Sequence, residues 1–138
     1  MRSLPETKDA LVLRTDFSDA VSWESICIAI REPVGEFKAY VDFVSDPEFD
    51  DVSAEQLLSM TPENSIRSFM FVVDHVAISH PDHPVLVLDL YTEPGRTFRV
   101  LPSEMWGVEN NLSIANIDFA EFADAVDQDG VFRGFPGS

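Results

Sequence analysis

Leu11-Val12-Leu13 is a short apolar run that stops at Arg14, and its length and branching predict a buried strand. After Phe17 the period lengthens. Trp23, Ile26, Cys27 and Ile30 recur at helical spacing, with Ser18 as the expected cap, Asp19 favouring the positive N-terminal end and Pro33 stopping the helix. From Phe37 the period becomes two: Phe37, Ala39, Val41 and Phe43 share one face, and Lys38, Tyr40 and Asp42 the other. This predicts a strand at a sheet edge, or in a sheet covered on one side only, ending at Asp46-Pro47. Ser53 and Gln56 then form the pattern of a capping box for a short helix through Leu57, Leu58 and Met60, closed by Thr61-Pro62.

The runs from Phe69 to Val73 and from Val85 to Leu90 are apolar on both faces, which predicts central strands. Glu93-Pro94-Gly95 supplies turn chemistry, and Thr97 to Val100 returns as an antiparallel partner, which leaves Arg99 and Asp89 on neighbouring strands where they could pair. Farther on, Asp118 as N-cap with Glu121 makes an acidic capping box, and Ile117 is placed to staple onto Phe122. Phe119, Phe122, Ala123 and Val126 share a face of that last helix, and Gly130 is expected to end it in a left-handed conformation. These elements predict an α/β (or α+β) fold: one globular domain over residues 1–138, with a mixed sheet of about five strands and three or four packed helices. Residues 1–10 and 136–138 are expected to be loose.

Charge narrows the functional classes. The chain carries 25 acids against nine bases, a net charge of −16, which disfavours nucleic acid and anionic membranes as partners. The acids cluster: Asp42, Asp46, Glu48, Asp50, Asp51 and Glu55 form one group, and residues 118–129 hold a second. A basic protein partner would be steered toward such surfaces, which also serve simply to keep a protein soluble. The single cysteine, Cys27, lies among isoleucines and excludes an intrachain disulfide scaffold, so a reducing, cytoplasmic setting is expected. The N-terminus has no signal-peptide core, and no apolar run reaches the roughly 18 residues of a membrane span.

Little of the chain matches known catalytic or cofactor chemistry. His75, His80 and His83, with Asp74 and Asp82, invite a metal reading, but their spacing fits no zinc signature and His80-Pro81-Asp82-His83-Pro84 reads as a surface loop. Asp127 to Gly130 resembles part of a calcium loop, yet the twelfth position falls on Pro136 and supplies no carboxylate. No Gly-x-Ser-x-Gly elbow is present, and Cys27 reads as an inert core thiol. None of the six glycines forms a dinucleotide or Walker pattern, so no cofactor is expected.

Two polar groups stand out. Arg14 and Asp16 follow the first strand, where open α/β sheets place binding groups, although an internal ion pair or cap fits them equally well. Trp106, Glu109, Asn110, Asn111 and Asn116 form the densest polar cluster among apolar residues. Asn side chains commonly fix turns and caps. In the alternative, the amides and Glu109 bind a ligand or partner while Trp106 offers a flat apolar surface.

The stretches Arg14 to Asp19, His83 to Tyr91 and Pro102 to Asn116 resemble a family of small, acidic, uncharacterised bacterial proteins, a domain of unknown function. That resemblance implies no catalytic residue. Two functional classes follow from the residues themselves. The first is an acidic, non-enzymatic protein-binding or regulatory module, of an immunity or inhibitor kind, that masks a basic partner. The second is a small enzyme or small-molecule-binding domain whose pocket joins Arg14 and Asp16 to the 109–116 segment.

Overall fold

Successive side chains of a strand point to opposite faces, and here both faces are apolar. In β1 (Ala10–Arg14), Val12 packs into one hydrophobic cluster while Leu11 and Leu13 pack into another. β3 (Phe69–Val73) divides likewise, with Phe69, Phe71 and Val73 on the first side and Met70 and Val72 on the second. Such strands need cover on both faces. The computed structural model, which describes residues 3–135, supplies it. α1 (Ala20–Arg31) lies on the first face through Trp23, Ile26 and Ile30, and α2 (Ala54–Ser59) closes the second through Leu57.

The sheet has six strands in the order β2-β1-β3-β4-β5-β6. β2 (Val41–Val44) and β3 flank β1 and run parallel to it, with Val12 opposite both Phe43 and Phe71. β4 (Val85–Asp89) and β5 (Thr97–Val100) follow as antiparallel neighbours. β6 (Val131–Phe132) closes the far edge, parallel to β5. The chain leaves β1 toward β2 over one face and crosses back from β2 to β3 over the other. The gap between the carboxyl ends of β1 and β3 is therefore a topological switch point.

The expected single α/β domain with a mixed sheet is present, and among the described residues it has six strands and five α-helices. Some local expectations need correction. Two of the helices lie where no helix was expected, α3 (His75–Ser79) and α4 (Met105–Ser113), while His80 to Pro84 after α3 is the expected loop. Pairing of β2 begins only at Val41, because the preceding backbone is drawn toward α4. Asp19, not Ser18, caps α1, since the amide and hydroxyl of Ser18 are both directed at Asp16. α5 (Phe119–Asp124) ends before Gly130, whose φ of 80° instead serves the turn into β6.

Arg99 does not pair with Asp89. The β4–β5 register sets Arg99 opposite Leu86, so its guanidinium reaches Asp74 at the far end of β3 in a bidentate pair of 2.9 and 2.7 Å. The Asp89 carboxylate, 2% exposed, instead accepts the amides of Tyr91, Thr92 and Glu93 and so shapes the hairpin loop. Within residues 3–10, the Pro5 carbonyl accepts from Arg67 and the Asp9 amide donates to Asp42. The expectations for residues 1–2 and 136–138 lie outside the described residues.

Candidate functional site

At the switch point the chain forms an open concavity of about 600 Å3 lined by residues 15–18, 50–53 and 74–76. Three segments build it. The first leaves β1 and carries Asp16. The second follows a 3-10 turn (Pro47–Phe49) and is tied to β1 by the Asp51 amide, which donates to the Thr15 carbonyl at 2.8 Å. That link holds Asp51 at a φ of 62°, a left-handed conformation unusual for a residue other than glycine. The third segment is the start of α3, capped by Asp74, whose carboxylate accepts the Ala77 amide.

Asp16 is the centre of this arrangement. One carboxylate oxygen accepts from the amide and hydroxyl of Ser18, and the other lies 2.7 Å from Nδ1 of His75. Burial pushes its carboxyl upward, but the bonds from Ser18 and the contact with His75 outweigh that and hold it below its ordinary value. In the neutral imidazole, an ionised Asp16 selects the tautomer with the proton on Nδ1, which leaves Nε2 as an acceptor. The Asp16 side chain is 12% exposed and that of His75 is 75% exposed, so the imidazole is held from beneath and presented to solvent.

The charges around the concavity are unevenly compensated. Asp74 is neutralised by Arg99. Asp50 and Asp51 are exposed, and neither has a cationic partner among the described residues. Three of the arginines elsewhere are occupied within the fold. Arg96 holds Glu93 and Asp124, Arg133 holds Asp127 and Asp82, and Arg67 bonds to backbone. The acids of residues 118–129 are thus partly paired, whereas those following β2 remain open.

Arg14, 7% exposed, turns away from this opening into the sheet–α1 layer. Its Nε donates to the Asp16 carbonyl, its Nη1 to Ser45, and its guanidinium lies 4.3 Å from the ring centre of Phe17 and 5.3 Å from that of Trp23. It ties the end of β1 to α1.

The 106–116 segment lies on α4 and the turn after it. Glu109, 4% exposed, accepts the Tyr40 amide at 2.7 Å and the Asn110 side-chain amide at 2.8 Å on one oxygen, and the Ser113 hydroxyl at 2.6 Å on the other. Asn110 also donates to the Lys38 carbonyl. Asn111 donates to Gly107 and receives Asn116, whose own amide bonds the Asn111 carbonyl to close the helix. Trp106 stacks on Phe37 with ring centres 4.8 Å apart. These groups clamp residues 37–40 onto α4. The concavity at Asp16 has no lining residue from the 109–116 segment, and neither does a second, beside β2, lined by residues of 38–43 with Asp9 and Arg31.

The histidines have separate partners: His80 accepts the Asp82 amide and His83 contacts the Ala77 carbonyl, while His75 belongs to Asp16. Among the described residues no group of three or more His, Cys, Asp or Glu side chains is arranged to hold a metal ion. Asp127 accepts the amides of Asp129 and Val131 and binds Arg133. The Cys27 thiol is buried, and desolvation pushes it up to about 11.

Sequence reasoning found Asp16 but missed its partner His75 and the 50–53 wall. Asp74 followed by Val76, Ala77 and Ile78, with Pro81 beyond, was the available signal for a capped helix that aims His75 back at β1. No helix among the described residues is long and apolar enough to cross a membrane. No curated protein matches the chain. Residues 9–135 match the family described as Domain of unknown function (DUF6924), and the chain belongs to that family.

Proposed function

We propose that the chain is an acidic, non-enzymatic protein-binding module of an immunity or inhibitor kind, which captures a basic partner on the carboxyl edge of its sheet. The observation that carries this reading is the uneven compensation of charge. Asp50 and Asp51 are left open beside a concavity wide enough for a lysine or arginine side chain, while most described bases are engaged within the fold. Opposed charge of this kind speeds encounter and selects partners more than it adds affinity. The buried, free Cys27 fits a cytoplasmic setting.

The test is titration of the full chain with a lysine- and arginine-rich peptide, against a glutamate-rich peptide of equal length. The basic peptide should bind and weaken steeply between about 0.1 M and about 1 M salt, as the Debye length falls from about 10 Å to about 3 Å. Asp50→Asn with Asp51→Asn should cut the association rate about tenfold with the fold intact. Equal binding of both peptides, or indifference to the double substitution, sinks the reading.

A second reading, a small enzyme or small-molecule-binding domain, is favoured by the Asp16–His75 contact at the switch point. An imidazole fixed by a buried carboxylate and facing solvent is suited to accept a proton or hydrogen bond from a small polar molecule. Under this reading His75→Ala abolishes ligand-induced thermal shifts in a metabolite screen, whereas Asp50→Asn with Asp51→Asn leaves them in place.

A further inference from the structure

The floor of the concavity at the switch point holds a hydroxyl that the fold does not use. Thr15 is 4% exposed and lines the opening, and its amide and carbonyl are bonded to Val73 and Asp51. Leu11 and Leu13 face the second hydrophobic cluster, so Thr15, two residues on, points to the same side as Phe49 and Val52 and toward the 50–53 wall. Its hydroxyl has no hydrogen-bond partner among the described residues. Trp106 Nε1 is the one fully buried side-chain polar atom left without a partner among them, so the Thr15 oxygen keeps its opening onto the concavity. A polar group this deep is costly to leave unpaired.

The groups around it differ in what they can still accept. Both oxygens of Asp16 are taken, one by Ser18 and the other by His75, and both oxygens of Asp74 are taken by Arg99. A guanidinium binds as a planar fork to two free oxygens of one carboxylate, and neither of these inner carboxylates offers them. What remains are single acceptors on separate segments. One is the Thr15 hydroxyl on the floor, and the other is Nε2 of the exposed His75, which has no partner among the described residues. Asp50 and Asp51 add negative charge with no cation of their own among the described residues. Separate single acceptors suit a compact ammonium, whose three N–H donors rotate to meet them, better than a rigid fork.

We infer that this concavity is a lysine site: the primary ammonium of a partner's lysine donates to the Thr15 hydroxyl and to Nε2 of the neutral His75 imidazole, with Asp50 and Asp51 balancing its charge. The inference rests on the proposed capture of a basic protein and names the side chain that anchors it. Asp50 and Asp51 attract any cation, whereas Thr15 and His75 distinguish an ammonium from a guanidinium.

Calorimetric titration of the full chain with two peptides of equal length and charge, one with lysine and the other with arginine at every basic position, tests this. The lysine peptide should bind about tenfold tighter, as one or two hydrogen bonds allow. Thr15→Val, which puts a methyl in place of the hydroxyl, should bring the two affinities within about twofold of each other, while Thr15→Ser keeps the preference. His75→Ala should narrow the ratio as well. Asp50→Asn with Asp51→Asn should weaken both peptides and leave their ratio unchanged, with every variant folded by circular dichroism. If the arginine peptide binds as tightly as the lysine peptide, and the Asp50 and Asp51 substitutions weaken both, the lysine site is overturned and capture by charge stands. A preference that survives Thr15→Val overturns the site too, and absence of binding by either peptide overturns both readings.

Discussion

The Glu109 carboxylate accepts the backbone amide of Tyr40 at 2.7 Å across 69 residues of sequence, joining the approach to β2 to the middle of α4. A buried acceptor set of this kind is costly to break from one side. Glu109→Ala strands the Tyr40 amide and the Ser113 hydroxyl and should cost about 2–4 kcal/mol in urea unfolding. Glu109→Gln keeps one acceptor oxygen and should cost about half as much. Basic-peptide binding at the Asp50–Asp51 wall should survive both changes. A Glu109→Ala protein of normal stability would show that the segment is not a clamp.

Trp106 offers a sharper contrast. Its indole Nε1 is buried with no hydrogen-bond partner among the described residues, while its ring stacks on Phe37. Trp106→Phe keeps the stack and removes the unpartnered donor, so its stability should lie within about 1 kcal/mol of the parent. Trp106→Ala should cost about 2–4 kcal/mol, somewhat less than a fully buried tryptophan. Equal losses in the two variants would mean that Nε1 has a partner in solution.

Ala115, just past the end of α4, has a φ of 55°, a conformation in which a Cβ is penalised. Ala115→Gly relieves that strain at the cost of a more flexible unfolded chain, and the net gain should be about 0.5 kcal/mol, read as a higher urea midpoint. A lower midpoint would mean that the Cβ contributes packing greater than its strain.

Asp16 should shape the acid limb of stability. Its carboxyl lies below the ordinary 3.8 when folded, so its contribution is complete above that unfolded value and is lost as pH falls through the lowered folded value. Asp16→Asn should therefore be less stable than the parent at neutral pH, with the gap closing below about pH 4. His75→Ala should close only part of it, because Ser18 still donates to Asp16. Parallel pH profiles for Asp16→Asn and the parent would remove Asp16 from the acid response.

Periodicity revealed the strands with two apolar faces, the Ser53–Gln56 box and the β4–β5 hairpin, because each of these is decided by local spacing or by a cap. α4 escaped notice although Met105, Val108 and Leu112 have helical spacing, since Asn110 and Asn111 are poor helix formers and their side-chain bonds to Lys38 and Gly107 are tertiary information. The same holds at the candidate site. Asp16 was visible from its place after a strand, but its contact with His75 depends on β1 and β3 being neighbours, which no local pattern encodes. Strand register likewise sent Arg99 to Asp74 instead of Asp89.

The position of β1 between β2 and β3 also sets an order in time. During synthesis β1 emerges before either neighbour, and its Val12 must await Phe43 and then Phe71. Until both arrive, Leu11, Val12 and Leu13 form an apolar strand with two open edges, a hazard to which β3, β4 and β5, joined by short connections, are less exposed. Until residue 73 has left the ribosome, β1 therefore lacks the full set of partners for one of its edges, and its protection depends on a strand about 60 residues away in sequence.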